Sequence, residues 1–316
     1  MAMGGKVCGA SRRSVRGRLP MSVTPSIVTT NVHTPGSGAH LRGKVAVVTG
    51  ASRGAGRAIA LVLGEAGATV YVTGRSTRSG TSTEGLPGTI DEAAEVVTER
   101  GGIGIPMRVD HTVDTDVGAL FERVRLEQGH LDLLVNNAWG GYEGWDGAAF
   151  VAPFWEQPPS RWDGMFTAGV RTHFVASRLA TPLMLDQSSG LIVGTVAWAF
   201  GEYLGNLYYD VAKAAIIRMA FGIAHELRPH GVAAVALAPG FMRTERVLNA
   251  HASSPFDLSA TESPEYLGRA VAALAADPNV MTKSGQLLTV GGLAREYGFT
   301  DVDGRQPEPF RMPHSG

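Results

Sequence analysis

Cysteine is all but missing from this chain. Cys8 is the only one among 316 residues, which excludes an intramolecular disulfide and any zinc site built on several cysteines. Such usage fits a reducing compartment, and a cytoplasmic protein is expected. No stretch approaches the run of about 20 apolar residues that a membrane span needs. An excess of one charge is lacking too: the formal net charge of -1 gives neither nucleic acid nor an anionic membrane an electrostatic reason to bind. Acid is absent from residues 1–40, which carry Lys6, Arg12, Arg13, Arg16 and Arg18 and leave 23 bases against 29 acids for the remainder. That opening stretch has no apolar core of the kind a secretory signal requires. It is read as a disordered basic leader, with an organelle transit peptide or a natural start at Met21 as alternatives.

What is present is a regular alternation. Short β-branched runs end in glycine or asparagine, as in KVAVVTG (Lys44–Gly50), ATVYVTG (Ala68–Gly74) and LDLLVNN (Leu131–Asn137). Further strands are expected at Ile103–Asp110, Gly190–Val196, Val232–Pro239 and Gln286–Val290. Between them the apolar spacing is helical, over Gly56–Gly67, Thr89–Gly102, Asp114–Gln128, Trp162–Asp186, Asn206–Arg228 and Pro264–Ala276. Strands that are apolar throughout and alternate with helices require a parallel sheet covered on both faces. The fold class is therefore α/β, a doubly wound parallel sheet of Rossmann type in a single domain over residues 41–293, with a C-terminal tail over 294–316. Trp139–Arg161 and Phe241–Ser263 are expected to be long irregular loops.

The first strand runs into TGASRGAGRAIA, with Gly50, Gly54 and Gly56 spaced G-x-x-x-G-x-G. A glycine-rich turn entering a helix lets backbone approach a pyrophosphate and aims unpaired N–H groups at it. A site preferring NAD would place an acid at the end of the second strand. Here Gly74-Arg75-Ser76 stands at that point. Arg75, together with Arg53 inside the turn, suits a 2′-phosphate instead, and NADP(H) is the expected cofactor. HELRPH (His225–His230) is set aside as a zinc motif because its second histidine comes one residue too late and Pro229 interrupts the helix, and DHTVDTD (Asp110–Asp116), though its acids are spaced like metal ligands, because it lacks the glycine and distal glutamate of a calcium loop; no metal is expected.

Tyr209 and Lys213 are four residues apart in NLYYDVAKAAI and share a helical face. A tyrosine hydroxyl titrates near pH 10, and a neighbouring ammonium favours the phenolate, bringing it closer to use as acid or base. Four motifs in order, TGASRGAG, NNA (Asn136–Ala138), Tyr209-x-x-x-Lys213 and PGFMRT (Pro239–Thr244), resemble the short-chain dehydrogenase/reductase family over about Leu41–Leu293. FWEQPPSRWDGMF and AHELRPHGV look like the branch typified by dehydrogenase/reductase family member 1.

The resemblance implies that Tyr209 exchanges a proton with substrate as hydride passes to or from nicotinamide, while Lys213 modulates Tyr209 and holds the nicotinamide ribose. It implies phosphate contacts from Gly50, Ser52, Arg53, Gly54 and Gly56, and contacts at the adenosine end from Arg75, Ser76, Asp110 and His111. Asn137 and Ala138 would line the ribose, and Pro239, Gly240 and Thr244 would frame the nicotinamide. It also implies a homodimer or homotetramer formed through the two long helices.

Three positions depart from the family pattern. Val196 and Ala197 stand where a serine donates to the substrate carbonyl, Gly169 replaces an asparagine, and Trp139 follows NNA in place of glycine. Losing one preorganised donor costs about 2.7–4 kcal/mol, a factor of roughly 10²–10³, so the loss does not prove inactivity. Candidate substitutes are Thr195, His173, Trp198, Tyr203, Asn206 and Tyr208. Trp139, Trp198 and Tyr203 belong to an aromatic-rich set, with Tyr142 and Phe150 among its members, expected to line a pocket for a hydrophobic small molecule. The expected function is an NADP(H)-dependent oxidoreductase with an atypical catalytic group. A non-catalytic NADP(H)-binding protein, or a redox-neutral cyclase or isomerase on the same fold, stands as the alternative.

Overall fold

The computed structural model describes residues 40–80, 82–143 and 150–312, so the expected leader lies almost wholly outside the described residues. The strands are β1 (Val45–Val48), β2 (Thr69–Gly74), β3 (Ile103–Arg108), β4 (Leu133–Asn136), β5 (Gly190–Thr195), β6 (Val232–Ala238) and β7 (Leu287–Thr289). All pair in parallel in the order β3-β2-β1-β4-β5-β6-β7. The order reverses between β1 and β4, which opens a crevice at the carboxyl ends of the central strands.

Alternate side chains of each strand point to opposite faces, and the two faces build separate cores. Ala46, Val48, Val70 and Val72 pack against α1 (Gly54–Glu65), α2 (Ile90–Glu99) and α8 (Pro264–Ala276), through Ile59, Leu63, Val97 and Leu267. Val45, Val47, Tyr71 and Leu134 face α3 (Asp114–Gln128), α5 (Arg171–Asp186) and α6 (Leu207–Leu227), through Leu120, Phe121, Leu183 and Leu227. β3 is an edge strand, which tolerates Pro106 because its outer side needs no ladder donor.

Several details differ from the sequence reading. The helix expected over Trp162–Asp186 is α4 (Ser160–Met165), a π-helical turn over Phe166–Val170, and then α5. The loop after β6 contains α7 (Glu245–Ser253), capped by Thr244 and burying no residue fully, so no apolar stripe announces it. Residues beyond Leu293 do not form a separate tail. α9 (Val290–Tyr297) runs across that boundary, and Asp301, 1 % exposed, accepts from Ser263 N–H at 2.9 Å. Arg269 donates to the Thr300 carbonyl at 2.6 Å, and the Arg311 guanidinium lies 4.3 Å from the Phe200 ring centre. These contacts hold the segment on the domain. Among the described residues no helix is long and apolar enough to cross a membrane, and no cluster of potential ligands could hold a metal ion.

Candidate active site

The glycine-rich turn lies in the crevice. A Cβ on Gly56 would come within 2.3 Å of the Gly50 carbonyl oxygen, and one on Gly50 within 2.8 Å of the Ala138 Cα, so the turn closes only without side chains there. The Asn137 side-chain amide donates to the carbonyls of Thr49 and Gly50 at 3.0 and 3.1 Å. The Asn137 and Ala138 N–H groups both donate to Thr49 Oγ1 at 2.9 Å. These residues thus clamp the end of β4 to the turn. The N–H of Gly54, opening α1, donates to Glu245 Oε2 at 2.9 Å, so the protein's own carboxylate stands at the positive end of the helix.

Ser52, Gly54, Arg75, Asp110, His111 and Thr244 are among the residues around a cleft of about 270 Å³. The two arginines behave differently. Arg53 donates to the Pro87, Thr83 and Gly88 carbonyls and to the hydroxyls of Ser76, Ser82 and Thr83. It pins residues 76–88 as one wall of the cleft. Ser76 is correspondingly buried, its hydroxyl accepting from Arg53 at 2.8 Å and from Thr83 N–H at 3.1 Å; it is structural support and not part of the cleft wall. Arg75 borders the cleft, pairs with Glu143 and stands 3.9 Å from Asp110. Burial raises the Asp110 carboxyl, but hydrogen bonds from Thr112 and the charge of Arg75 more than offset it, leaving the group below its usual range.

His111 is buried, and burial pushes it down to about 4, so it is neutral at physiological pH. Thr73 Oγ1 donates to the Val48 carbonyl and therefore accepts from His111 Nε2, 2.9 Å away. Among the described residues Nδ1 is left as a buried acceptor without a partner.

At the other end, Asn206 caps α6 by accepting from Tyr209 N–H at 3.0 Å. Tyr209 and Lys213 lie on the first two turns. The Tyr209 ring is enclosed by Trp139 and Phe150, each 5.6 Å away and edge-on, and by Tyr142, stacked at 6.2 Å and 24°. Burial and the facing Tyr142 push the Tyr209 hydroxyl well above its ordinary pKa.

Lys213 is 7 % exposed, and burial lowers it to about 7. Among the described residues it makes no hydrogen bond or ion pair. Its Nζ sits 3.4 Å from the Trp139 ring centre and 5.2 Å from that of Tyr209. The sequence reading has Lys213 drawing Tyr209 toward the phenolate; here a half-titrated ammonium rests on Trp139 and does not offset the upward push on Tyr209.

Two of the sequence departures prove to be one fit. A Cβ on Gly169 would lie 2.5 Å from Trp139 Cζ3, so an asparagine at 169 and the indole at 139 exclude each other. The π-helical turn, a local irregularity common at functional sites, brings Gly169 against the indole.

Most of the substitute donors are engaged elsewhere. Val196 is buried and apolar. Thr195 Oγ1 donates to the Asn136 carbonyl at 3.3 Å, Asn206 donates to the Phe150 carbonyl and Gln157, and Tyr208 donates to the Phe154 carbonyl at 3.2 Å. Tyr203 is 55 % exposed, and Trp198 packs on the cluster around Val196 and Ile216. His173 is buried, and burial first and the Lys213 charge second lower it to about 3, which keeps it neutral.

Pro239 and Gly240 follow β6, where Gly240 N–H donates to Glu262 Oε1 at 2.9 Å. The sequence reading missed Glu262, a buried carboxyl raised by burial to about 7. Its only sequence signal is position within a loop read as irregular.

The model of the short chain dehydrogenase family matches residues 44–254. The chain belongs to this family of oxidoreductases. Dehydrogenase/reductase SDR family member 1 of Mus musculus is 42 % identical over 284 residues, covering 86 % of this chain and 87 % of the mouse protein. The Homo sapiens protein of the same name is 40 % identical over 285 residues with the same coverage. A crystal structure of a short chain dehydrogenase from Mycobacterium thermoresistibile superposes with a TM-score of 0.71 at 28 % identity, over 85 % of this chain and 92 % of that one. The family uses nicotinamide cofactors, and the resemblance to the member 1 branch, drawn from the motifs, holds over most of the chain.

Proposed function

We propose that the chain is an NADP(H)-dependent oxidoreductase that interconverts a hydrophobic carbonyl compound and its alcohol, or acts on a related unsaturated substrate. The observation that carries this reading is the pairing of Tyr209 and Lys213 on one face of α6, inside an aromatic cage that adjoins the cleft. Nicotinamide chemistry supplies or accepts the hydride; the chain's residues do the rest. The Gly54 N–H, now held by a carboxylate, suits a phosphate oxygen. Arg75 at the cleft, with no acid in its place at the end of β2, supports recognition of a 2′-phosphate. The unpaired His111 Nδ1 and the ionised Asp110 suit the amino group of an adenine.

In reduction Tyr209 hands its proton to the substrate oxygen, a transfer that a neutral, high-pKa hydroxyl can make because it carries that proton at physiological pH. Trp139, Tyr142 and Phe150 exclude water and favour an apolar substrate. Phe174 and Phe221, 52 % and 46 % exposed on α5 and α6, support a homodimer or homotetramer joined through those helices. The test is Tyr209→Phe, which keeps the ring in its cage. NADPH consumption with phenanthrenequinone as the carbonyl probe should fall by at least about 10²-fold while NADPH binding is retained. Near-normal turnover in this variant would sink the assignment.

A further inference from the structure

Removal of serine from the end of β5 leaves a substrate oxygen beside Tyr209 in need of a second donor. Among the described residues, the candidate donors Thr195, Asn206 and Tyr208 are bonded to backbone carbonyls. One hydroxyl approaches Tyr209 from outside β5 and α6. Tyr142, five residues beyond Asn137 on the segment after β4, stacks on the Tyr209 ring at 6.2 Å and 24°, close enough to help push the Tyr209 hydroxyl up. Tyr142 also borders the cleft. Its ring is held from two sides, by Trp139 at 6.1 Å and by the Arg246 guanidinium at 5.1 Å. A cation over the ring draws on its electrons and makes the hydroxyl a stronger donor.

We infer that Tyr142 is a catalytic residue, its hydroxyl donating to the substrate oxygen beside Tyr209 in place of the missing serine. Resting on the oxidoreductase reading above, this role needs no proton transfer from Tyr142. A carbonyl oxygen entering between the two hydroxyls receives the Tyr209 proton and a hydrogen bond from Tyr142, which stabilises the charge that develops on oxygen. The residue comes from the segment after β4 that also carries Trp139, so the three departures from the family pattern have one structural answer: the indole fills the space left by Gly169, and the chain that follows it delivers the replacement hydroxyl.

The test compares Tyr142→Phe, which keeps the stacked ring, with Tyr209→Phe and the unaltered protein. With NADPH and phenanthrenequinone, kcat/KM of Tyr142→Phe should fall about a hundredfold, with the dissociation constant for NADPH unchanged. The ultraviolet phenolate titration of the protein without cofactor gives a second readout. With the facing hydroxyl that helps push it up removed, Tyr209 should ionise at lower pH in Tyr142→Phe, a change that a role in packing alone does not produce. Full activity in Tyr142→Phe beside an inactive Tyr209→Phe, or an unmoved titration, overturns the inference and leaves the oxidoreductase reading intact. Full activity in Tyr209→Phe overturns the reading itself.

Discussion

Burial sets the charge of Lys213, and Trp139 bears on it. An ammonium taken out of water with no carboxylate or hydrogen-bond acceptor loses its proton easily, and burial alone brings Lys213 from 10.5 to about 7. The indole face 3.4 Å from Nζ is the strongest compensation it has. A desolvated cation–π contact contributes about 2 kcal/mol, and each pKa unit corresponds to about 1.4 kcal/mol. Trp139→Leu, which keeps the site dry and removes the π face, should therefore lower Lys213 by about one further unit. Trp139→Gly should do the opposite. It leaves a hole large enough for water, whose share of liquid volume is about 30 Å³, and the rehydrated ammonium should move back toward 10.5. The chain contains only four lysines, Lys6, Lys44, Lys213 and Lys283, so a protein labelled with carbon-13 at lysine Cε gives a spectrum simple enough to follow each titration. Assignment comes from Lys213→Met. The reasoning is refuted if no lysine titrates near neutrality, or if the two Trp139 variants move Lys213 in the same direction.

Two other outcomes are expected. Arg75→Ala should weaken NADPH binding about 10- to 100-fold, the span of a charged hydrogen bond worth about 1.5–3 kcal/mol, and leave NADH unchanged, as read by isothermal titration. Equal loss for both cofactors would show that Arg75 does not meet a 2′-phosphate. Glu262 has a folded-state value of about 7 against an ordinary 4.5, so the native state binds the extra proton in that window. Its contribution is complete below 4.5 and is lost as pH rises through 7, a change of about 3 kcal/mol. Glu262→Gln, measured by urea unfolding, should match the parent near pH 4.5 and exceed its stability at pH 8; the same difference at both pH values would contradict a raised carboxyl.

Much of the fold was legible because local rules and global packing agree. α3 and α8 occupy the residues expected of them, and β1, β2 and β4 lie within the apolar runs that mark them. α7 was not legible, since it buries no residue fully and its sequence carries no core-facing stripe. The segment after Leu293 reads as polar, yet Asp301 is buried through partners more than 30 residues away, Ser263 and Arg269. In the site, Tyr209 and Lys213 were readable from helical spacing taken together with the three other motifs that fix their place in the fold. The duty of Arg53 was not, because six bonds to residues 76–88 depend on where the chain after β2 returns. Gly169 and Trp139 could each be seen as a departure, but their mutual exclusion is a statement about 2.5 Å of space that no spacing in the sequence encodes.

The bond from Gly54 N–H to Glu245 means that the protein arrives at its ligand already neutralised. A phosphate arriving at α1 would not fill a bare positive site; it would exchange for an anion the chain supplies. The exchange also has a mechanical side. Glu245 is the first residue of α7, a helix with no fully buried side chain, so a phosphate bound at α1 would also remove a tether on α7.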